Sequence, residues 1–294
     1  MPELPDLAVY RDAIAARVTG EPLTHVRIDN PFVLRTAVPS IADAEGKRVR
    51  DVRRMGKRLV LGVDGDLFLV FHLMIAGRLR WYGDHGKPPK PITLARLEFP
   101  AGTLAFTEAG TKRRASLHLV RGEPALAALD PHGLEILTAD RTAFAARLTL
   151  ENHTLKRALT DPRLYSGIGN AYSDEILHRA RLSPLALTQK LSEADVTRLF
   201  EAARRVLDEW TTRLSNELGG AFPENVTAFR PEMAVHGKYG KPCPVCGTPV
   251  QRIVYAENEC NYCARCQTGG KLLADRSLSR LLKASWPRSI DELG

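Results

Sequence analysis

A chain of 294 residues with 42 basic and 34 acidic side chains carries a formal charge of +8 and a pI near 9.4. The length allows two domains of ordinary size around a disulfide-free core, and the basic excess suits a polyanion, nucleic acid ahead of an anionic membrane. No apolar run approaches the roughly 18 residues of a membrane span and the first residues lack a signal-peptide pattern, so a soluble cytoplasmic protein is expected.

In chain order, Asp6 is placed to cap a helix over 7–18 that ends at Gly20. Short runs rich in Val, Leu and Phe follow at 24–29, 48–54, 58–63, 67–73, 78–82, 94–99, 103–107 and 116–120, with Gly65, Gly83, Gly86, Pro88, Pro89 and Gly102 between them. Strands at this spacing predict a β-sandwich or barrel. From about residue 140 the apolar period becomes helical, over 142–150, 154–159, 171–179 and 193–217. Ser192 with Asp195 forms a capping-box pattern, and Gly219-Gly220 stops the last helix. The expected organisation is an N-terminal domain over 1–129, a hinge at 130–139, a helical domain over 140–220, a loop over 221–240, a cysteine module over 241–268 and an extension over 269–294. In that extension Leu272, Leu273, Leu278, Leu281 and Leu282 recur at helical spacing and are expected to pack back on the protein.

All five cysteines fall between positions 243 and 266, so they cannot staple the fold and point to metal in a reducing compartment. The pairs Cys243/Cys246 and Cys263/Cys266, 16 residues apart, match a structural tetrathiolate Zn2+ site on a β-hairpin. With four thiolate ligands no coordination place is left for water, so a catalytic role for the metal is not expected. Cys260 reads as a spare thiol.

The chain opens Met1-Pro2-Glu3-Leu4-Pro5-Asp6. Removal of Met1 exposes Pro2 as a secondary amine with the Glu3 carboxylate beside it, a pair able to form an iminium at an aldehyde-like sugar carbon. Taken alone, Pro2 reads more simply as an ordinary residue after an initiator. Further on, Gly167-Ile168-Gly169-Asn170 makes a tight turn into a helix N-terminus, whose free N–H groups suit a phosphate, and Lys156 lies close in sequence. The run Arg53-Arg54-Met55-Gly56-Lys57-Arg58 is either a solvated face or a contact to nucleic-acid backbone.

These motifs occur in the order found in the formamidopyrimidine-DNA glycosylase/endonuclease VIII family, which the chain resembles over residues 2–267. The resemblance is carried by the Pro-Glu-Leu-Pro start, Gly56-Lys57, His72-Leu73 through Gly77-Arg78-Leu79, Gly167-Ile168-Gly169-Asn170, and the four cysteines with Gln267. It implies an α+β multidomain protein with an N-terminal β-sandwich, a helix–two-turns–helix domain and a zinc-finger hairpin. Damaged double-stranded DNA would be the partner of a monomer, held in a cleft between the domains. It also implies a bifunctional glycosylase and AP lyase in which Pro2 attacks C1′, Glu3 moves protons, and Lys57 and Asn170 hold the phosphates around an extruded nucleotide.

Departures from the family pattern are equally specific. Asn258 stands where the finger usually offers an arginine to a phosphate, and an amide lacks the charge and fork of guanidinium. Ile75, beside Met74, stands at the family's void-filling methionine. The loop 110–115 has no aromatic residue, which leaves Arg113 as its candidate wedge. The segment between Gly220 and the finger is short, which favours oxidised pyrimidines or ring-opened purines. Alternative readings are an AP lyase or crosslink-unhooking glycosylase with little activity on common oxidised bases, a non-catalytic damage-binding protein, and a zinc-ribbon transcription or ribosomal factor.

Overall fold

The computed structural model describes residues 1–83, 86, 88–255, 258–274, 276–282, 285 and 287–292. Two compact units emerge: 1–131 with 210–227, and 132–209 with 228–294.

The first unit opens with helix α1 (Leu4–Val18), which sends Leu7, Tyr10, Ile14 and Val18 into the core at three- and four-residue spacing, while residues 4–10 are buried all round. The helix starts earlier than its sequence suggests. Glu3 is the N-cap and Asp6 stands at the third helical position, its carboxylate accepting the Glu3 backbone N–H at 3.1 Å in a reciprocal box. Pro5 sits in the first turn, where its missing N–H costs nothing.

Among the described residues eight strands follow: β1 (His25–Ile28), β2 (Val49–Met55), β3 (Arg58–Val63), β4 (Leu67–His72), β5 (Gly77–Tyr82), β6 (Thr93–Phe99), β7 (Gly102–Glu108) and β8 (Ser116–Arg121). They form two antiparallel sheets in the orders β1-β6-β7-β5 and β2-β3-β4-β8. Alternate residues of each sheet meet in one core: Leu59, Leu61, Leu69, Phe71, Leu117 and Leu119 from one, Leu79, Leu97, Leu104 and Phe106 from the other. Phe71 and Phe106 meet edge to face at 5.5 Å. The outer face of the second sheet packs Val60, Phe68, Val70 and Val120 under helix α2 (Glu123–Ala127), through Leu126. Residues 221–227 are no free loop, since Phe222 and Val226 enter the sandwich core.

The second unit carries α3 (Arg141–Thr149), α4 (Leu155–Thr160), α5 (Asn170–Ala180) and α6 (Glu193–Leu218), the last passing to the first unit at Trp210. Phe144 stacks on Tyr165 at 4.8 Å and meets Phe200 at 5.3 Å, and the Tyr165 hydroxyl donates to the Phe144 carbonyl at 2.9 Å. The Ser192–Asp195 box forms as the sequence suggests. A hairpin of β9 (Gln251–Tyr255) and β10 (Asn258–Tyr262) is followed by α7 (Ala264–Thr268) and α8 (Arg276–Leu282). Of the leucines expected to pack back, Leu272 is buried with Ile253, Tyr262 and Ile290, and Leu273 joins it in part. Leu281 and Leu282 do not, at 77% and 41% exposure, and the side chain of Leu278 lies outside the described residues. Among the described residues no helix is long and apolar enough to cross a membrane.

Candidate active site and metal centre

In the first unit, α1 delivers the chain start as a buried feature. Pro2 is buried and Glu3 is only 3% exposed. The amine at Met1 is held below the usual range of terminal amines. Burial is the main cause; Glu3 and Asp6 oppose it, while the charges of Arg78 and Lys57 reinforce it. Burial of this kind favours the neutral form of an amine; while Met1 is in place the Pro2 nitrogen is an amide, and only removal of Met1 would put an amine there.

Lys57 follows Gly56 in the turn between β2 and β3; Gly56 adopts φ 59°, and the Arg54 guanidinium donates to the Gly56 carbonyl at 2.7 Å. The basic run is therefore the tip of a hairpin. Within it, Arg53 pairs with Asp51 and Glu123 at 2.8 and 3.0 Å and lies over the Phe68 ring. Neighbouring His72, paired across the sheet with Arg58, is pushed down to about 4 by burial and then by Arg58, Lys57 and His118. It is a neutral imidazole at physiological pH.

Arg78 is a residue that motif reading alone left without a role. Its Nε donates to the Val226 carbonyl at 2.9 Å and its Nη1 to the carbonyls of Ile75 and Gly77. It thus ties 221–227 to β5 and supports the turn 73–77. In that turn Met74 is left-handed at φ 51°, and the Gly77 N–H donates to the Leu73 carbonyl at 2.8 Å. A Cβ on Gly77 would collide with that same oxygen, so only glycine closes the turn. The product is a projecting tip on which Ile75 is 61% exposed. Arg113 is exposed on its own loop and donates to the Pro91 carbonyl at 2.8 Å; the loop is held by Glu108, which accepts the Arg114 and Ala115 N–H groups.

In the second unit, the turn before α5 has Gly167 at φ 78° and Ile168 fully buried. Asn170 begins the helix, and its side-chain amide donates to the Glu259 carbonyl of β10 at 2.8 Å. Lys156, on α4, donates to the Asn170 carbonyl at 2.7 Å, to Ser173 Oγ at 2.8 Å and to Asp174 Oδ1 at 2.5 Å. Its ammonium therefore has three acceptors inside the protein, and it shapes the turn. Asn258 pairs by backbone with Tyr255, but its side chain lies outside the described residues.

Two carboxylates that look like ordinary helix positions prove central. Asp174 is fully buried; its second oxygen faces His236 Nδ1 at 2.8 Å and accepts the Asn261 N–H at 3.1 Å. Glu175 accepts the backbone N–H groups of Ala234, Val235 and His236 at 2.8–2.9 Å. Nothing in local periodicity reveals partners some 60 residues distant. Together the two clamp both the segment before the finger and the hairpin itself onto α5.

The sulfurs of Cys243, Cys246, Cys263 and Cys266 lie within 4.8 Å of one another, with Cys243–Cys266 at 4.0 Å and Cys246–Cys263 at 3.4 Å. A tetrahedral site with metal–sulfur bonds of about 2.3 Å needs sulfurs about 3.8 Å apart. The donor set fits zinc. Cys260 is apart from it, buried and with its thiol pushed up by burial and by Asp174. His178, buried on α5, sits with Nε2 3.3 Å from Cys243 Sγ, and burial followed by Arg179 and Arg181 holds it down at about 4.

Three family profiles match in sequence order: the formamidopyrimidine-DNA glycosylase N-terminal domain over 1–115, the H2TH domain of that enzyme over 129–214, and a zinc finger found in FPG and IleRS over 240–269. The formamidopyrimidine-DNA glycosylase of Thermus thermophilus is 36% identical over 284 residues, covering 92% of this chain and all of the relative. The enzyme of that name from Symbiobacterium thermophilum is 33% identical, covering 91% of this chain and 89% of its own. The crystal structure of the MutM (Fpg) protein from Thermus thermophilus superposes with a TM-score of 0.75 at 35% identity, over 90% of this chain and 98% of the other. The Lactococcus lactis Fpg bound to DNA containing an abasic site shares the fold, with a TM-score of 0.79 at 24% identity over 90% of this chain and 99% of its own.

Proposed function

Because the chain belongs to the formamidopyrimidine-DNA glycosylase family, and is thus a base-excision repair glycosylase with AP-lyase activity, we propose that Pro2 is its nucleophile once Met1 is removed. The observation that supports this reading is the buried chain start: Pro2 and Glu3 are both buried, at a point where burial also lowers the neighbouring Met1 amine and the charges of Arg78 and Lys57 act on it.

The Pro2 nitrogen forms a bond to C1′ of the damaged nucleotide, and the bond from C1′ to the base breaks with its electron pair leaving on the base, which takes up a proton. Glu3, as the acid, protonates the sugar ring oxygen while the nitrogen loses its proton, and the ring opens to an iminium. Loss of a C2′ proton then expels the 3′ phosphate, and a further elimination expels the 5′ phosphate. Water finally hydrolyses the iminium and returns Pro2. The nucleotide must leave the stack for any of this, and an oxidised or ring-opened base costs less to extrude.

Lys57 and Asn170 contact the flanking phosphates in this proposal, with Lys156 acting by holding the Asn170 carbonyl. Ile75 on its projecting turn, and Arg113 beyond it, enter the space left by the base. Asn258 provides a weaker phosphate contact than an arginine would. One structural Zn2+ on the four thiolates holds the finger and leaves the chemistry to Pro2 and Glu3. Damaged double-stranded DNA in the cytoplasm is the expected substrate.

Borohydride reduction during incubation with abasic-site DNA tests the assignment. The processed chain should be trapped covalently, with mass spectrometry placing the adduct on the Pro2 nitrogen. A chain that retains Met1 has an amide at that nitrogen and should give no adduct. Trapping at a lysine, or undiminished nicking by the unprocessed chain, refutes the role of Pro2.

A further inference from the structure

We propose that His178 is a positioning residue for the metal centre: its Nε2–H donates a hydrogen bond to the Cys243 thiolate and fastens that ligand to helix α5. Nε2 and Sγ are 3.3 Å apart, and the two residues are 7% and 2% exposed, so water does not compete for either partner. A metal-bound thiolate carries no proton, so the shared hydrogen belongs to the imidazole. His178 is not itself a ligand. Among the described residues the metal-capable cluster consists of the four sulfurs, which already complete a tetrahedron.

The position is informative. His178 lies eight residues after Asn170 on α5, and Asp174 and Glu175 stand between them. These two carboxylates hold the backbone of the segment before the finger, at Ala234–His236, and of the finger hairpin, at Asn261. His178 adds a direct link from the same helix to a metal ligand. Cys243 also sits in the small apolar core of Val235, Val250 and Cys263, where a misplaced thiolate would have no solvent to turn to. A donor aimed at the sulfur withdraws electron density, lowers its basicity and orients its lone pairs, as partners behind metal ligands generally do. The four-cysteine spacing by itself gives no hint of this fifth residue.

The inference rests on the zinc reading, and Co2+ substitution separates the two. The metal-free native chain titrated with Co2+ should develop the visible bands of a tetrahedral tetrathiolate site; their absence would overturn the zinc reading and this proposal with it. His178→Phe keeps the volume and removes the donor. Its sulfur-to-cobalt charge-transfer band should move to lower energy, because an unbonded thiolate gives up electrons more easily, and Co2+ and Zn2+ affinity should fall roughly 10- to 100-fold. His178→Gln places an amide N–H near the same point and should restore the band and most of the affinity. A native spectrum and affinity in His178→Phe would overturn the proposal. So would equal loss in both variants with unchanged circular dichroism, since packing alone would then explain the site.

Discussion

At the scale of single residues, the lowered histidine and the hairpin lysine give separable tests. His72 is pushed down to about 4 in the folded chain, mainly by burial, against about 6.5 when unfolded. Between those values the unfolded chain binds more protons, so stability is full above pH 6.5 and falls as pH drops towards 4. His72→Gln removes that contribution. Urea unfolding at pH 7 and pH 5 should show a smaller loss of stability in the variant, the difference being at most about 1.4 kcal/mol per pH unit and less where solvent screens the group. An identical acid slope would mean His72 does not titrate as its surroundings require. Lys57, by contrast, bears on DNA. If it contacts one phosphate, Lys57→Ala should lower affinity for all sequences alike and reduce the slope of log affinity against log salt by about 0.9. An unchanged slope would remove Lys57 from the interface.

At the scale of elements, the strands were legible because Gly and Pro punctuate them and their apolar runs are short; β3 spans the residues its pattern predicts, and the others end within a residue or two. The start of α1 was not, because the cap is Glu3, an unusual residue for that position, and Asp6 reads as the more natural one. The clamp on α5 was illegible for a deeper reason. Asp174 and Glu175 are charged, which on a helix suggests solvent, and what makes them internal is a chain segment far along the sequence. The two-residue signature at the chain start and the four cysteines could be read because their chemistry depends on local spacing. Asp174→Asn tests the clamp. It leaves the Lys156 ammonium, 13% exposed, beside a neutral amide, and breaking a buried pair costs about 3–5 kcal/mol. Thermal melts and DNA binding should both suffer, the latter because Lys156 loses its charged acceptor among the three that fix it beside the Asn170 carbonyl. A melt within a degree of native would show that the network is dispensable.

At the scale of the whole molecule, the sandwich core and the core at the four cysteines predict different responses to metal removal. The sandwich core of the first unit is apolar, drawn from both sheets and from α1, and depends on no sulfur. Around its cysteines the finger instead has a core of a few residues, Val235, Val250, Cys243 and Cys263, too small to hold a fold by burial alone. In isolated finger peptides zinc contributes about 10–16 kcal/mol, which is the free energy of folding itself. Stripping the metal should therefore release the finger while the sandwich stays closed. The backbone amides of Ala234, Val235, His236 and Asn261, which donate to Glu175 and Asp174, report on the release. Their hydrogen exchange should accelerate on the order of 100-fold or more in the demetallated chain, as in other locally opened segments. The amides of β3 and β4, paired from Arg58↔His72 to Val63↔Leu67, should exchange at unchanged rates. Equal acceleration in both sets would mean that the two cores melt as one. Full protection at 234–236 without metal would mean that the carboxylate clamp, rather than zinc, holds this segment, and Glu175 would then displace the thiolates as its principal anchor.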